Sequence, residues 1–528
     1  MTSPWMRLTH LSFGVLSVCV LGCSAPESVN GGTGSGGSTD GGTNASGGRT
    51  GGGGSDGSDR SGGRIGSGGG SATGGTTGAG GTATGGRNAS GGSGSGGVTG
   101  SGGSVATGGG TATGGAAGNG GTKATGGGTA TGGSKATGGV TGSSGGATPT
   151  GGSVGGGGTT GARAACAPPA RYRNLFVELL GKTQTEVDTK LSALVQQLFH
   201  GASGQNIYFE LGTDQAYIED IANNDVRSEG QSYGMTIAVE MGMKTEFDKL
   251  WTYAAKCMRQ STNLFAWQMN PGSCTAKSTG AAPDGEEYFA MALMLASRRW
   301  GDAGTYNYAS EAKKVMSGML AARPGGEFNA SPALVSFGPN QNFSDPSYVL
   351  PLFYSEWACF DTSNATFWKK AVTDGRTHFQ KAANATTGLS PGQSNWDGSP
   401  YGSGAAANFN SDAWRVPMNI MMDFNLNNAD ATWQTTYAKT MAAFWVKEGL
   451  TSYGNVYNLN GSGKSGSHGA GLTGVNAMLA FALPAADGKT LLQAAWDTAT
   501  PTGTYRYYDG CLYMLSMLHM SGKFSLFN

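Results

Sequence analysis

Three carboxylates stand in surroundings that suit acid–base chemistry. Glu229 lies in Asp225-Val-Arg-Ser-Glu-Gly-Gln-Ser-Tyr-Gly234, Asp284 in Ala282-Pro-Asp-Gly-Glu-Glu-Tyr-Phe289, and Asp412 in Asn410-Ser-Asp-Ala-Trp-Arg-Val-Pro-Met-Asn419. Each stands where a helix is expected to start. Tyr233, Ile237 and Met241 recur at helical spacing after Glu229, and Phe289, Ala292, Leu293 and Ala296 share one face after Asp284. An acid at a helix start is ordinarily a cap, and Asp284 with Glu287 three residues on has the form of a capping box. Capping alone does not account for three such acids with an aromatic-rich segment, Phe265-Ala-Trp-Gln-Met269, between the first two. Two carboxyl groups on a sugar cleft can break a glycosidic bond: one protonates the leaving oxygen, the other activates water or attacks the anomeric carbon.

The elements that must position these acids are helical. Val187, Leu191, Leu194, Val195 and Leu198 form one face of a helix over 187–199. Similar patterns predict helices at 232–243, 245–260, 285–300, 305–322, 346–360, 364–383, 412–425, 430–447, 471–483, 488–497 and 509–520. Strand patterns are scarce, Asn206-Ile-Tyr-Phe-Glu-Leu211 being the clearest. An all-α chain of about twelve helices, with the polar motifs in loops, fits an (α/α)6 barrel, whose helix N-termini can converge on one rim; helix counting alone leaves other helical folds open.

Upstream the composition changes abruptly. Residues 1–23 read as an export signal: Arg7 supplies the positive region and Leu11 to Leu21 a short apolar run. Val20-Leu-Gly-Cys23 resembles a bacterial lipobox, which would make Cys23 a lipidated N-terminus at the cell envelope; ordinary secretion is the other reading. Residues 24–165 read as a Gly/Ser/Thr tether holding most of the 96 glycines, with Ala-Thr-Gly-Gly recurring irregularly. Too few apolar side chains are present there to offset the entropy of ordering the backbone. Residues 166–528 remain as one folded domain, with ten of the 11 tryptophans. Formal net charge is zero, so no basic excess points to nucleic acid. No phosphate-binding loop follows a strand and no His/Cys cluster has zinc spacing, so no cofactor and no metal are expected. Of the five cysteines after the export segment, most are expected to be buried apolar residues; an oxidising compartment would allow one or two disulfides, with Cys257 and Cys274 the most plausible pair by proximity.

Asp-Val-Arg-Ser-Glu-Gly-x-Ser-Tyr-Gly-Met and Ala-Pro-Asp-Gly-Glu-Glu-Tyr-Phe resemble the motifs of glycoside hydrolase family 8. The likeness runs from about Tyr172 to the C-terminus and is nearest to the branch that releases xylose from the reducing end of xylo-oligosaccharides. The resemblance implies an (α/α)6 barrel and inverting hydrolysis. It implies Glu229 as general acid, Asp412 as general base, and Asp284 as a further acid on the sugar at the cleavage point. It also implies that Tyr348, in Asp345-Pro-Ser-Tyr348, helps hold the attacking water. His468, in Gly461-Ser-Gly-Lys-Ser-Gly-Ser-His-Gly-Ala470, would by the same likeness bind the reducing-end hydroxyl; a lone loop histidine can equally be solvated. Trp267 can stack on a sugar face or sit in the core. The expected partner is a xylo-oligosaccharide or related β-1,4-glycan met by a monomer. An endo-acting hydrolase on xylan, cellulose, mixed-linkage glucan or chitosan, and a non-catalytic carbohydrate-binding lipoprotein, are the competing readings.

Overall fold

The structure, a computed structural model, describes residues 161–528. The expected export segment with Cys23, and the tether up to residue 160, lie outside the described residues. Thirteen α-helices are found among those described: α1 (Leu175–Leu180), α2 (Gln184–His200), α3 (Ser228–Met241), α4 (Lys244–Tyr253), α5 (Pro283–Trp300), α6 (Tyr308–Met319), α7 (Pro351–Phe360), α8 (Ala365–Ala382), α9 (Arg415–Asn427), α10 (Ala431–Glu448), α11 (Ala470–Ala477), α12 (Ala485–Asp497) and α13 (Arg506–Met520).

Burial sorts them into two rings. In α3, α5 and α13 almost every residue is buried, so these helices are apolar or internally bonded all round. The helix α2 instead buries one stripe, Val187, Leu191, Leu194, Val195, Leu198 and Phe199, and starts on a true capping box between Thr183 and Glu186. The inner helices α3, α5, α7, α9, α11 and α13 each touch the next, and α13 returns to α3. Each also packs against one outer helix: α4, α6, α8, α10, α12 and α2 respectively. This is the (α/α)6 barrel, with α1 an added short helix against α2 and α12.

The rim carries more strand than the periodicity predicts. An antiparallel sheet runs in sequence order through β1 (Tyr208–Leu211), β2 (Gln215–Asp220), β3 (Asp225–Arg227), β4 (Gln268–Met269) and β5 (Ala276–Ser278). A second pair, β6 (Phe328–Ala330) and β7 (Ala333–Val335), lies between α6 and α7 in the chain. Only β1 is foreseen: β3 to β7 have two or three residues, too short to alternate, and β2 buries Ala216, Tyr217 and Ile218 in succession rather than in alternation. The helix expected over 245–260 stops at Tyr253 and ends in one π-turn, Ala254–Met258.

Four of the five described cysteines form two disulfides rather than sitting as buried apolar residues, and one of the two is the expected Cys257–Cys274 pair. Cys257 in the π-turn joins Cys274 in the β4–β5 loop, and Cys166 joins Cys359 near the end of α7. Cys511 alone among the described cysteines is free and buried. The packed part also begins earlier than residue 166. Arg163 bonds through its backbone to Asn427 O (2.8 Å), through Nε to Asn427 Oδ1 (3.0 Å), and pairs with the buried Glu356. None of the helices among the described residues is long and apolar enough to cross a membrane.

Candidate active site

The chain delivers its acids to the start of successive inner helices. Glu229 is the second residue of α3 and Asp284 the second of α5. Asp412 lies in the turn three residues before α9, Tyr348 in a 3-10 turn before α7, and Tyr507 is the second residue of α13. Two glycines explain why Glu229 and Asp284 are each followed by one. A Cβ on Gly285 would stand 2.4 Å from Ser228 Oγ and 3.0 Å from its backbone carbon, so α3 and α5 approach this closely only with glycine there. A Cβ on Gly230 would stand 2.3 Å from the Tyr507 ring. With any side chain at 230 the Tyr507 hydroxyl could not reach Glu229 Oε1, to which it donates at 2.8 Å.

The expected capping box at Asp284 is not formed. Pro283 occupies the first helical position, where its fixed φ and missing N–H suit a helix start, and Ala282 is the cap. Asp284 is thereby released from capping: Oδ1 accepts only the neighbouring Gly285 N–H, and Oδ2 faces Arg415 Nη1 at 2.6 Å. Glu287 turns away and accepts the Tyr354 hydroxyl at 2.6 Å.

Arg415 is the hub of the site. Its Nη1 also lies 2.8 Å from Glu229 Oε2 and 3.1 Å from the Tyr233 hydroxyl, and its Nη2 donates to Ser347 Oγ at 2.8 Å. It stands in the motif that contains Asp412, three residues on, where nothing local marks it as the partner of Glu229 and Asp284. Tyr507 was missed as well, since nothing in the local sequence marks a tyrosine some 280 residues from Glu229 as its partner. The turn bearing Asp412 is held from two sides: the Tyr508 hydroxyl donates to Ser411 O at 2.7 Å, and Trp414 Nε1 to Asn455 O at 2.9 Å.

Burial sets the protonation. Glu229 is pushed up to about 7, first by burial, with Arg415 opposing and Asp284 adding to the rise. Burial raises Asp412 from the ordinary carboxylate range and Arg415 pulls it back. Part of its surface stays open to the cleft. Burial and then Asp412 raise the neighbouring Asp345, whose Oδ1 accepts the Ser347 N–H and so shapes the turn before Tyr348. The Tyr348 ring lies parallel to Phe337 (5.8 Å between centroids, 6° apart), with the Arg415 guanidinium 5.3 Å from its centre.

Glu229, Asp284, Asp412, Tyr348 and Trp267 all line one cavity of about 600 Å³, with Arg227 and Arg415 among its other walls. Trp267 is half-buried at that wall rather than in the core. His468 is not among the lining residues. It is exposed on the loop before α11, edge-on to Tyr453 (4.3 Å), with Nε2 3.1 Å from Thr473 Oγ1. Among the described residues, no group of three or more His, Cys, Asp or Glu side chains could hold a metal ion. The arrangement brings two carboxyl groups, which acid–base cleavage of a sugar linkage requires, to one cavity beside an aromatic wall.

Residues 213–522 match the family model described as glycosyl hydrolases family 8. The chain is 38% identical over 371 residues to the reducing-end xylose-releasing exo-oligoxylanase Rex8A of Paenibacillus barcinonensis, covering 67% of this chain and 97% of that protein. It is 37% identical over 373 residues to the reducing end xylose-releasing exo-oligoxylanase of Halalkalibacterium halodurans, covering 67% and 94%. The solved structure of Rex8A complexed with xylose matches with a TM-score of 0.65 at 37% identity, covering 68% of this chain and 98% of that one.

Proposed function

The chain belongs to the glycosyl hydrolases of family 8, and from that premise we propose that it hydrolyses β-1,4-xylosidic bonds with inversion, releasing xylose from the reducing end of xylo-oligosaccharides. The observation that carries this reading is that Glu229, Asp284 and Asp412 line one cavity beside Trp267. The likeness to reducing-end xylose-releasing enzymes over nearly their whole length supports the substrate class.

Glu229, held near 7, gives its proton to the leaving oxygen as the glycosidic bond breaks. Asp412 takes a proton from the water that attacks the opposite face of the anomeric carbon, and Tyr348 orients that water. Asp284 hydrogen-bonds the sugar at the cleavage point, its other demand met by Arg415. Trp267 stacks on a sugar ring farther along the wall. On this reading the cavity takes the non-reducing side of the substrate, and His468, outside it, meets the leaving xylose.

The product profile tests the reading. Xylotriose should give xylose and xylobiose while polymeric xylan stays intact. A falling viscosity of the polymer would make the enzyme endo-acting, and binding without product would make it a carbohydrate-binding protein. For the N-terminal segment the proposal rests on Val20-Leu-Gly-Cys23 alone: Cys23 is acylated and anchors the enzyme at the envelope. Mass spectrometry finding an unmodified N-terminus at another residue would reject it.

A further inference from the structure

Two charged residues of the Asp225-Val-Arg-Ser-Glu motif give and take no proton in the scheme above, although the Arg227 charge favours the ionised forms of Glu229 and Asp412. Asp225 is wholly buried: Oδ1 accepts Arg227 Nε–H at 3.1 Å, and Oδ2 accepts the side-chain amide of Gln268. Asp220, also buried, places Oδ2 3.4 Å from the same guanidinium. It is itself fixed by the Ala222 and Asn223 backbone N–H groups (3.1 and 3.3 Å) and by Asn223 Nδ2 (2.8 Å). Arg227 and Gln268 are partners across the β3–β4 pair, and Ser228 N donates to Trp267 O at 2.9 Å. The Arg227 guanidinium carbon lies 5.7 Å from the centre of the Trp267 ring, within reach of a cation–π contact. Arg227, Trp267 and Gln268 all line the cavity.

Burying two carboxylates around one guanidinium gains little stability over an apolar cluster of the same volume. What it does supply is a fixed plane. Arginine presents a rigid fork, and carboxylates from β2 and β3 hold that fork beside the indole. The geometry points to Arg227 as a positioning residue: clamped by Asp225 and Asp220, it holds the Trp267 ring as the platform on which a sugar of the bound oligosaccharide stacks. This rests on the glycan-cleft reading above. The fork of Arg227 acts through Trp267, so losing it falls on substrate binding and has no effect when the ring is absent, while a lysine keeps the charge that acts on Glu229 and Asp412.

The test is a double-mutant cycle in the full chain. Arg227→Lys keeps the charge and loses the fork. It should raise KM for xylotriose about tenfold with kcat within about twofold. In a Trp267→Ala background the same substitution should change KM by less than about twofold. Asp220→Asn, which keeps the shape of the clamp, should give a smaller rise with the same cancellation, and it carries the cycle if Arg227→Lys does not fold. Acrylamide quenching of Trp267 emission, isolated by difference against Trp267→Phe, should increase in the clamp variants and needs no turnover. Equal KM changes in both backgrounds, a kcat loss at unchanged KM, or unaltered quenching would overturn the assignment. If the wild type does not cleave xylotriose while quenching still rises, the glycan reading fails and the clamp stands.

Discussion

At Glu229 burial and ion pairing pull in opposite directions, and the outcome suits a proton donor. Burial raises the carboxyl to about 7, while Arg415 and the Tyr507 hydroxyl favour its ionised form. Glu229→Gln keeps the acceptor for Arg415 but has no proton to give, so kcat should fall by about a thousandfold or more while xylotriose still binds. Asp412→Asn should do the same through the water; activity within tenfold of wild type for either would remove its role. Tyr507→Phe deletes a donor to the carboxylate, so the alkaline limb of kcat/KM, near pH 7 in the wild type, should move to higher pH. A limb that moves down instead would mean Glu229 is not the titrating acid. The glycines give a second prediction. Gly285→Ala forces a Cβ against Ser228 and separates the starts of α3 and α5, so kcat should drop at least tenfold with only a few degrees lost in Tm. Equal activity would show that the approach of Glu229 to Asp284 is not critical.

At the scale of elements, legibility follows length. The helices showed in the sequence because ten or more residues display a 3.6-residue period, as Val187 to Leu198 does in α2. Strands β3 to β5 were invisible because two or three residues have no period, although they carry Arg227 and Gln268 to the cleft. The acids were legible through their motifs, yet their local geometry was misread at Asp284, where Pro283 removes the need for a cap. Arg415 and Tyr507 could not be assigned because their carboxylate partners lie more than a hundred residues away. The Cys257–Cys274 disulfide ties the β4–β5 loop to the π-turn after α4 across 17 residues. Closing a loop of that size stabilises by about 3 kcal/mol in the chain-entropy description. Cys274→Ser should therefore lower Tm by several degrees and raise KM a few-fold with kcat nearly kept, since the wall loosens while the acids on α3 and α5 stay. A loss of kcat at constant KM would place the loop's influence on the chemistry instead.

For the molecule as a whole, the many buried carboxyls tie stability to pH in one direction. Glu286 is raised from 4.5 to about 8 by burial, against the Phe265 N–H that its Oε1 accepts. The folded state therefore holds a proton that the unfolded chain releases between these values. This contribution to stability is complete below about pH 4.5 and is lost as pH rises through 8. Glu286→Gln should flatten the fall in Tm between pH 5 and 8.5, and an unchanged slope would mean that Glu286 is ionised in the fold. The junction with the N-terminal segment shows where the domain must begin. The low apolar content of residues 24–160 offers the barrel little to bury, whereas Arg163 and Cys166 are built into it. Arg163 compensates Glu356, which is 2% exposed and is also bonded by Arg298 Nη1 at 2.9 Å. Cys166–Cys359 pins the same segment across 193 residues of chain. A chain starting at 161 should thus match the full chain in kcat/KM and Tm. A chain starting at 167 leaves Glu356 with one cation fewer and opens the large loop, so it should lose several degrees of Tm while its kcat, set on the opposite ends of the inner helices, stays within about twofold. Arg163→Ala in the 161 chain separates the two causes: it removes the ion pair and keeps the disulfide. If the 161 and 167 chains melt together, the strap is ornamental and the domain begins at α1; if the 161 chain itself falls below the full chain, the Gly-rich segment contributes contacts to the barrel.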